Sequence, residues 1–219
     1  EYLATQSDKP VLVLCFSEPL SRKIQSVMEA KGLSAKVIVR HFHGWCSDQL
    51  NAYHVTRPKG AGERFFAELV QCVINAVDRG SIPAAQYAAV LIDEGHDFEP
   101  SWFKLVVQMV SPECRHLLVL YDDAQSIFNR SERQGFSFKS VGVQAQGRTT
   151  ILKINYRNTR QILALAASVA EDILDAKATD DDGVPLIRPI SCGREGPQPM
   201  LIKLPSIADE AEAISKQMG

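Results

Sequence analysis

Five short runs of Val, Leu and Ile punctuate this chain: "VLVLCF" at 11–16, "VIV" at 37–39, "AAVLI" at 88–92, "LLVLY" at 117–121 and "ILKI" at 151–154. They are nearly continuous rather than alternating, which is the pattern of strands covered on both faces. Helical patterns lie around and between them, at about 19–31, 63–79, 100–110, 158–174 and 207–218. Strand and helix alternating in this way predict an α/β fold with a parallel sheet and helices on both faces. Residues 46–62 and 129–149 read as loops or small excursions, and 176–199, rich in Asp, Gly and Pro, reads as a long connector. A last strand is expected at "MLIKL", 200–204, ahead of a helix starting in "SIADEAEAI" with Ser206 as its N-cap. No internal repeat is visible.

A chain of 219 residues can bury a sizeable core, in one large domain or two smaller ones. No apolar run approaches the roughly 20 residues of a membrane helix, and the opening "EYLATQSDKP" has neither the basic nor the apolar region of a secretion signal. Cys15, Cys46, Cys72, Cys114 and Cys192 are scattered, without a C-x-x-C pair, and read as reduced thiols of a cytoplasmic protein. A net charge of −2 gives no bulk attraction to nucleic acid or to anionic membrane. Any nucleic-acid contact must then be local and partly non-ionic.

Three stretches carry candidate chemistry. "AVLIDEGHDF", 89–98, runs an apolar stretch into Asp93 and Glu94, with His96 and Asp97 just beyond. Carboxylates this close repel each other and resist burial, so a cationic group is expected to gather them. In open parallel sheets ligands bind beyond the carboxyl ends of the strands. One carboxylate there can hold a magnesium ion while its neighbour polarises an attacking water; a solvated pair opening a loop is the plain alternative. "LLVLYDDAQSIF", 117–128, repeats the design with Asp122, Asp123 and then Gln125, whose amide can sense a phosphate oxygen or a metal-bound water. Read alone, it is a turn made of Asp residues. "ILKINYRNTRQIL", 151–163, runs into Asn155-Tyr156-Arg157 before a helix. An arginine at such an elbow can stabilise charge on a transferring phosphoryl group, and Tyr156 offers a flat face to a base. Read alone, it is a helix start with Arg157 in a salt bridge.

In this order, "LIDEGHD", "YDDAQSIF" and "LKINYRNT" resemble motifs II, III and IV of superfamily-one helicases of the UvrD/Rep type, which usually read D-E-A-Q-D, G-D-x-x-Q-S-I-Y and N-Y-R-S. Upstream, "VLVLCFSEPLSRKI" is similar to motif Ia and "VIVRHFHGW" to motif Ib with its T-F-H core, so the resemblance covers most of residues 10–175. It implies a RecA-like sheet of the P-loop NTPase type, with residues 1–148 an incomplete first motor domain and 149–219 the start of a second. It also implies ATP-driven translocation on single-stranded DNA, usually 3′ to 5′, with duplex unwinding. By matching position, Asp93 would hold magnesium, Glu94 would be the general base, and Gln125 would contact the γ-phosphate or its water. Asp122 and Tyr156 would bind the nucleotide, Tyr156 by stacking on adenine, and Arg157 would be the arginine finger. Phe16, Phe42, His43 and Phe128 would lie along the DNA path, where stacking on bases is worth roughly 1–3 kcal/mol per base.

The chain departs from the pattern at several positions. His96 replaces the usual Gln, Tyr121 replaces the Gly before Asp122, and Arg130 stands where the family often has Trp. No G-x-x-x-x-G-K-[ST] occurs, and "KGAGER" at 59–64 neither has the Lys-Ser/Thr pair nor follows a strand. The "GLEF" and "TRA" motifs are missing too. The expectation is therefore a fragment that starts within or after the P-loop helix, stops inside the second motor domain, and does not hydrolyse ATP by itself. "DEGH" also resembles the D-E-x-H box of superfamily-two helicases, but their S-A-T motif is absent. His41-x-His43-x-x-Cys46 has a spacing that can bind zinc, without an evident fourth ligand. An answer of another class is a non-catalytic, helicase-like module that binds nucleic acid or a partner protein.

Overall fold

The structure is a computed structural model that describes residues 2–5, 7–122, 137–169 and 189–218. The chain divides into two compact units, one containing the described residues up to Thr149 and the other those from Thr150 onward.

In the first unit, β1 (Val11–Cys15), β2 (Val37–His41), β3 (Ala89–Asp93) and β4 (His116–Val119) form a parallel sheet in the order β2-β1-β3-β4. Val11 pairs with both Val37 and Ala89, and Ala89 with His116, so the carboxyl ends of the four strands come out along one edge. Helices α1 (Tyr2–Thr5), α2 (Glu18–Ala30), α3 (Phe42–Ala52), α4 (Glu63–Asp78) and α5 (Pro100–Met109) flank the sheet. On one face Ile24 and Met28 of α2 lie over Val11, Val37, Val39 and Ala89. On the other, Leu12, Leu14, Val90 and Ile92 meet Trp45, Leu50, Leu69, Val73, Phe103 and Met109. Each such side chain contributes roughly 1.5–3 kcal/mol when fully buried, so the sheet is held mainly by this second layer. The α/β class and the parallel sheet agree with the alternation of apolar runs and helical patterns.

Helix α2 begins where its sequence says it should. The Ser17 hydroxyl accepts from the Leu20 amide at 3.5 Å, and Pro19 sits in the first turn. Helix α3 is a correction, because 46–62 read as a loop or small excursion. Its buried residues Phe42, Trp45, Cys46, Gln49 and Leu50 recur at helical spacing. His41, at the N-cap, makes no side-chain cap bond, so the usual start signal is missing.

Beneath α3 lies a small polar network. The Tyr87 hydroxyl accepts from the Trp45 indole at 2.9 Å and from the Gln49 amide at 3.2 Å, and Gln86 donates to Gln49 Oε1 at 2.8 Å. Burial pushes the Tyr87 phenol up, against the opposing effect of the Trp45 bond. At the sheet edge, β4 buries part of Leu117 and Val119 but leaves Leu118 exposed.

In the second unit β5 (Ile154–Asn155) pairs in parallel with β6 (Ile190–Ser191), and α6 (Arg160–Val169) and α7 (Ile207–Met218) complete the described elements. The run at 151–154 therefore enters its ladder only at Ile154, and residues from 170 of the expected helix lie outside the described ones. The "MLIKL" stretch is a second correction: residues 200–204 form no strand, and Met200, Leu201 and Ile202 are exposed. A strand needs a neighbouring ladder for its backbone polar groups, and none adjoins this stretch among the described residues. Helix α7 does begin at Ser206, whose hydroxyl accepts from the Asp209 amide at 3.3 Å and bonds its carboxylate at 2.7 Å.

Tyr87→Phe removes one acceptor from two buried donors at once. It should destabilise the chain by about 1–3 kcal/mol in urea unfolding, the range for leaving buried polar groups unsatisfied.

Candidate functional site

The register sets His41, Cys15 and Asp93 side by side at the ends of β2, β1 and β3. Burial, with the Asp93 carboxylate adding to it, pushes the Cys15 thiol up to about 11. Cys15 is thus a neutral core thiol and no nucleophile.

Beyond Asp93 the chain turns sharply. Asp93 Oδ1 accepts from the Glu94 amide at 3.1 Å, and Glu94 takes left-handed backbone angles of φ 54° and ψ 47°. For a side-chain-bearing residue this conformation costs roughly 1–2 kcal/mol. The turn aims the Gly95 amide at the Leu120 carbonyl, 2.8 Å away, while the Leu120 amide donates to the Ile92 carbonyl at 2.9 Å. These two bonds stitch together the exits of β3 and β4. A Cβ at position 95 would lie 2.7 Å from Val119 Cγ1, so the close approach requires glycine there.

The stitch brings Tyr121 beside His96, with ring centroids 6.2 Å apart, and Asp122 follows directly. The His96 ring is buried, with Nδ1 3.5 Å from Glu94 Oε2 and Nε2 3.9 Å from Asp97 Oδ2. The imidazole thus lies between the Glu94 and Asp97 carboxylates. Sequence reasoning treated His96 as a departure from the superfamily-one pattern or as the His of a D-E-x-H box, and not as a neighbour of Glu94 and Asp97.

Asp93, at the sheet edge and partly exposed, suits the way magnesium is usually held, by one or two carboxylates with water and phosphate oxygens. Among the described residues no group of three or more His, Cys, Asp or Glu could hold a metal ion. That applies to the zinc-like spacing as well: His41 ends β2, His43 and Cys46 belong to α3, and burial pushes the Cys46 thiol strongly up.

An aromatic ledge lies at the same edge. Phe16, just past β1, is 45% exposed and stacks over Trp102 at 6.5 Å. The His43 ring stands edge-on to Trp102 at 5.0 Å and against Phe66 at 4.8 Å. Phe42 is different. It is fully buried, stacked on Trp102 at 4.4 Å and tilted against Phe98 at 5.1 Å. In the first turn of α3 its side chain faces the sheet, so it is a core residue with no ring face for a base, which corrects its place on a DNA path.

Sequence reasoning missed Phe66. Of the adjacent pair at the start of α4, Phe65 packs on the core, while Phe66 stays 43% exposed. The readable signal was the pair itself, since neighbouring residues on a helix point about 100° apart. Gln125 and Phe128, with Asp123, lie outside the described residues.

In the second unit Asn155 Oδ1 accepts from the amides of Arg157 and Asn158, at 3.0 and 2.9 Å, and this forms the elbow before α6. Tyr156 is 70% exposed on it, and Arg157 is exposed with no ion pair among the described residues. The pair at this elbow is Arg160 with Glu195, at 3.0 Å. A returning segment, read from sequence as connector, braces the elbow. Arg194 Nη1 donates to the carbonyls of Tyr156 and Arg157, at 3.4 and 3.2 Å, and Glu195 accepts from Gln161 at 2.5 Å.

No protein-family model and no curated protein matches the chain. No helix among the described residues is long and apolar enough to cross a membrane.

Two substitutions test the turn. Gly95→Ala forces Val119 or the stitch to move and should destabilise by about 1–3 kcal/mol, as overpacking does. Glu94→Gly relieves the left-handed strain and should be neutral to about 1 kcal/mol stabilising; urea unfolding reads both.

Burial, and then His41, lowers the ionisation of the His43 ring below its ordinary value of 6.5. The folded state therefore binds the proton less well than the unfolded chain. The stability this gives is present above pH 6.5 and is lost as pH falls through the lower folded value. His43→Gln should flatten the acid side of a plot of melting temperature against pH.

Proposed function

We propose that this chain belongs to an ATP-driven motor acting on single-stranded DNA, a RecA-like superfamily-one helicase of the UvrD/Rep type. The observation that carries the reading is the common edge. Phe16 after β1, His43 after β2, Asp93 at the end of β3 with Glu94 after it, and Tyr121-Asp122 after β4 all lie at carboxyl ends of one parallel sheet. Ligand sites in open parallel sheets form there, and the four stretches are the ones that resemble motifs Ia, Ib, II and III.

In this reading Asp93 is the magnesium ligand, and the ion neutralises phosphate charge when bound. Glu94, held by its turn and faced by His96, takes the proton of the attacking water. Asp122 and Gln125 orient the phosphate end of ATP. The resemblance further implies an adenine-stacking role for Tyr156 and a charge-stabilising role for Arg157. Phe16, His43 and Phe128 offer ring faces to DNA bases. Phe42 supports them from below.

A second reading is a helicase-like module that binds nucleic acid or protein without hydrolysis. It is favoured by His96 and Tyr121 at positions where the family has Gln and Gly. These 219 residues carry no G-x-x-x-x-G-K-[ST], the loop whose backbone amides and lysine cradle phosphates.

The test is binding of a fluorescent oligothymidylate, followed by anisotropy at low salt, together with an ATPase assay. The 219-residue chain should bind the oligonucleotide, and Phe16→Ala should weaken binding by roughly 1–3 kcal/mol. It should show no magnesium-dependent ATP turnover. In a longer chain that carries the phosphate loop, Glu94→Gln should cut turnover by ~100-fold or more. Absence of oligonucleotide binding sinks the motor and leaves, of the second reading, only a protein-binding module.

A further inference from the structure

We propose that the aromatic ledge continues onto α4, where Phe66 is a further base-stacking residue and Arg57 and Lys59 hold the phosphates of the same single strand of DNA. This rests on the single-stranded-DNA reading above and adds a station and a direction to it.

The geometry is a run of ring contacts. Phe16 lies on Trp102 at 6.5 Å, Trp102 meets His43 at 5.0 Å, and His43 meets Phe66 at 4.8 Å. Trp102 is nearly buried and forms the floor, packed in turn on Phe42 at 4.4 Å. Both ends of the run, Phe16 and Phe66, are open to solvent. Exposed aromatic rings on a rigid floor are poor for solubility and suited to stacking on unpaired bases, whose faces a duplex would hide.

Charge selects the occupant. The whole chain is at −2, so phosphate attraction has to be local. The segment "HVTRPKGAG", 54–62, leads directly into the first turn of α4, and Arg57 and Lys59 on it are exposed. Among the described residues neither has a carboxylate partner, whereas Arg64 pairs with Glu68 at 2.9 Å and Arg40 with Asp48 at 2.9 Å. Gly60 and Gly62 take φ of +131° and +78°, and Lys59 stands on the short stretch between them and Arg57 that runs into Glu63, the first residue of α4. Two uncompensated cations on the segment that leads into the helix of an exposed ring fit a polyanion that carries flat bases.

The experiment uses the 219-residue chain and the same labelled oligothymidylate. Phe66→Leu keeps an apolar side chain but removes the π face, and should weaken binding roughly fivefold to a hundredfold; Phe66→Trp should restore it. The pair Arg57→Ala with Lys59→Ala should lower the slope of log affinity against log salt by about 1.4, the single-strand value for two phosphates. If Phe16→Ala weakens binding while Phe66→Leu and the double variant leave affinity and salt slope unchanged, the extension is wrong and the DNA reading stands. A loss in Phe66→Leu that Phe66→Trp does not restore also overturns it. If the unaltered chain binds no oligothymidylate, both fall together.

Discussion

Two backbone hydrogen bonds, Gly95 to Leu120 and Leu120 to Ile92, decide what the carboxyl edge of this sheet can hold. Parallel strands bury both faces and leave chemistry to their ends. An end is useful only if the chain beyond it is fixed, and here β3 and β4 fix each other. The first bond needs Glu94 in a left-handed turn, and the close approach of Val119 excludes a side chain at 95. From this follow the place of His96 between Glu94 and Asp97 and its contact with Tyr121. The acidic cluster is thus a product of backbone geometry more than of attraction among its side chains.

The same edge joins core and surface. Trp102 is stacked below on Phe42, within the core, and above on Phe16, which solvent reaches. A ring clamped in this way keeps the exposed rings next to it in place without a bound partner, and preorganisation lowers the entropy that binding must overcome. It also explains why a buried residue and an exposed one occur in neighbouring stretches of sequence with similar composition. Phe42 and His43 are adjacent, yet the helix turns one toward the sheet and the other toward the rim.

Much of the fold was legible because its signals are local. The central strands β1 and β3 read as continuous apolar runs as far as Asp93, since burial on both faces leaves no polar residue to interrupt them. The edge strands β2 and β4 read as runs too, although Leu118 stays exposed. Helix α2 was legible from its helical pattern alone, and α7 also from Ser206. Helix α3 was not, because no side chain caps it and Gly44 and Asp48 dilute its stripe. Residues 200–204 misled for the opposite reason: their apolar run is local, whereas the neighbouring strand that would make it a strand is not. At the site, Asp93 and Glu94 were visible as carboxylates ending an apolar run. The roles of Gly95, Trp102 and Arg194 were hidden, since each depends on a contact with residues distant in sequence or on the other side of a turn.

Stability alone would not choose the edge as it stands. A glycine at 94 would remove a left-handed side-chain-bearing residue, and a polar residue at 16 would remove an exposed ring. Each change is of a kind that commonly stabilises or solubilises a domain. Strain and exposed apolar surface have separate physical origins, and nothing in packing requires them to coincide. Yet Glu94 opens the turn after β3 and Phe16 follows the adjacent β1, each one residue beyond the Cys15–Asp93 pairing. Places where a sequence departs from its own structural optimum tend to be functional. Two independent departures on neighbouring strand ends therefore mark one surface, the one on which the proposed motor would use Glu94 for proton transfer and Phe16 for stacking.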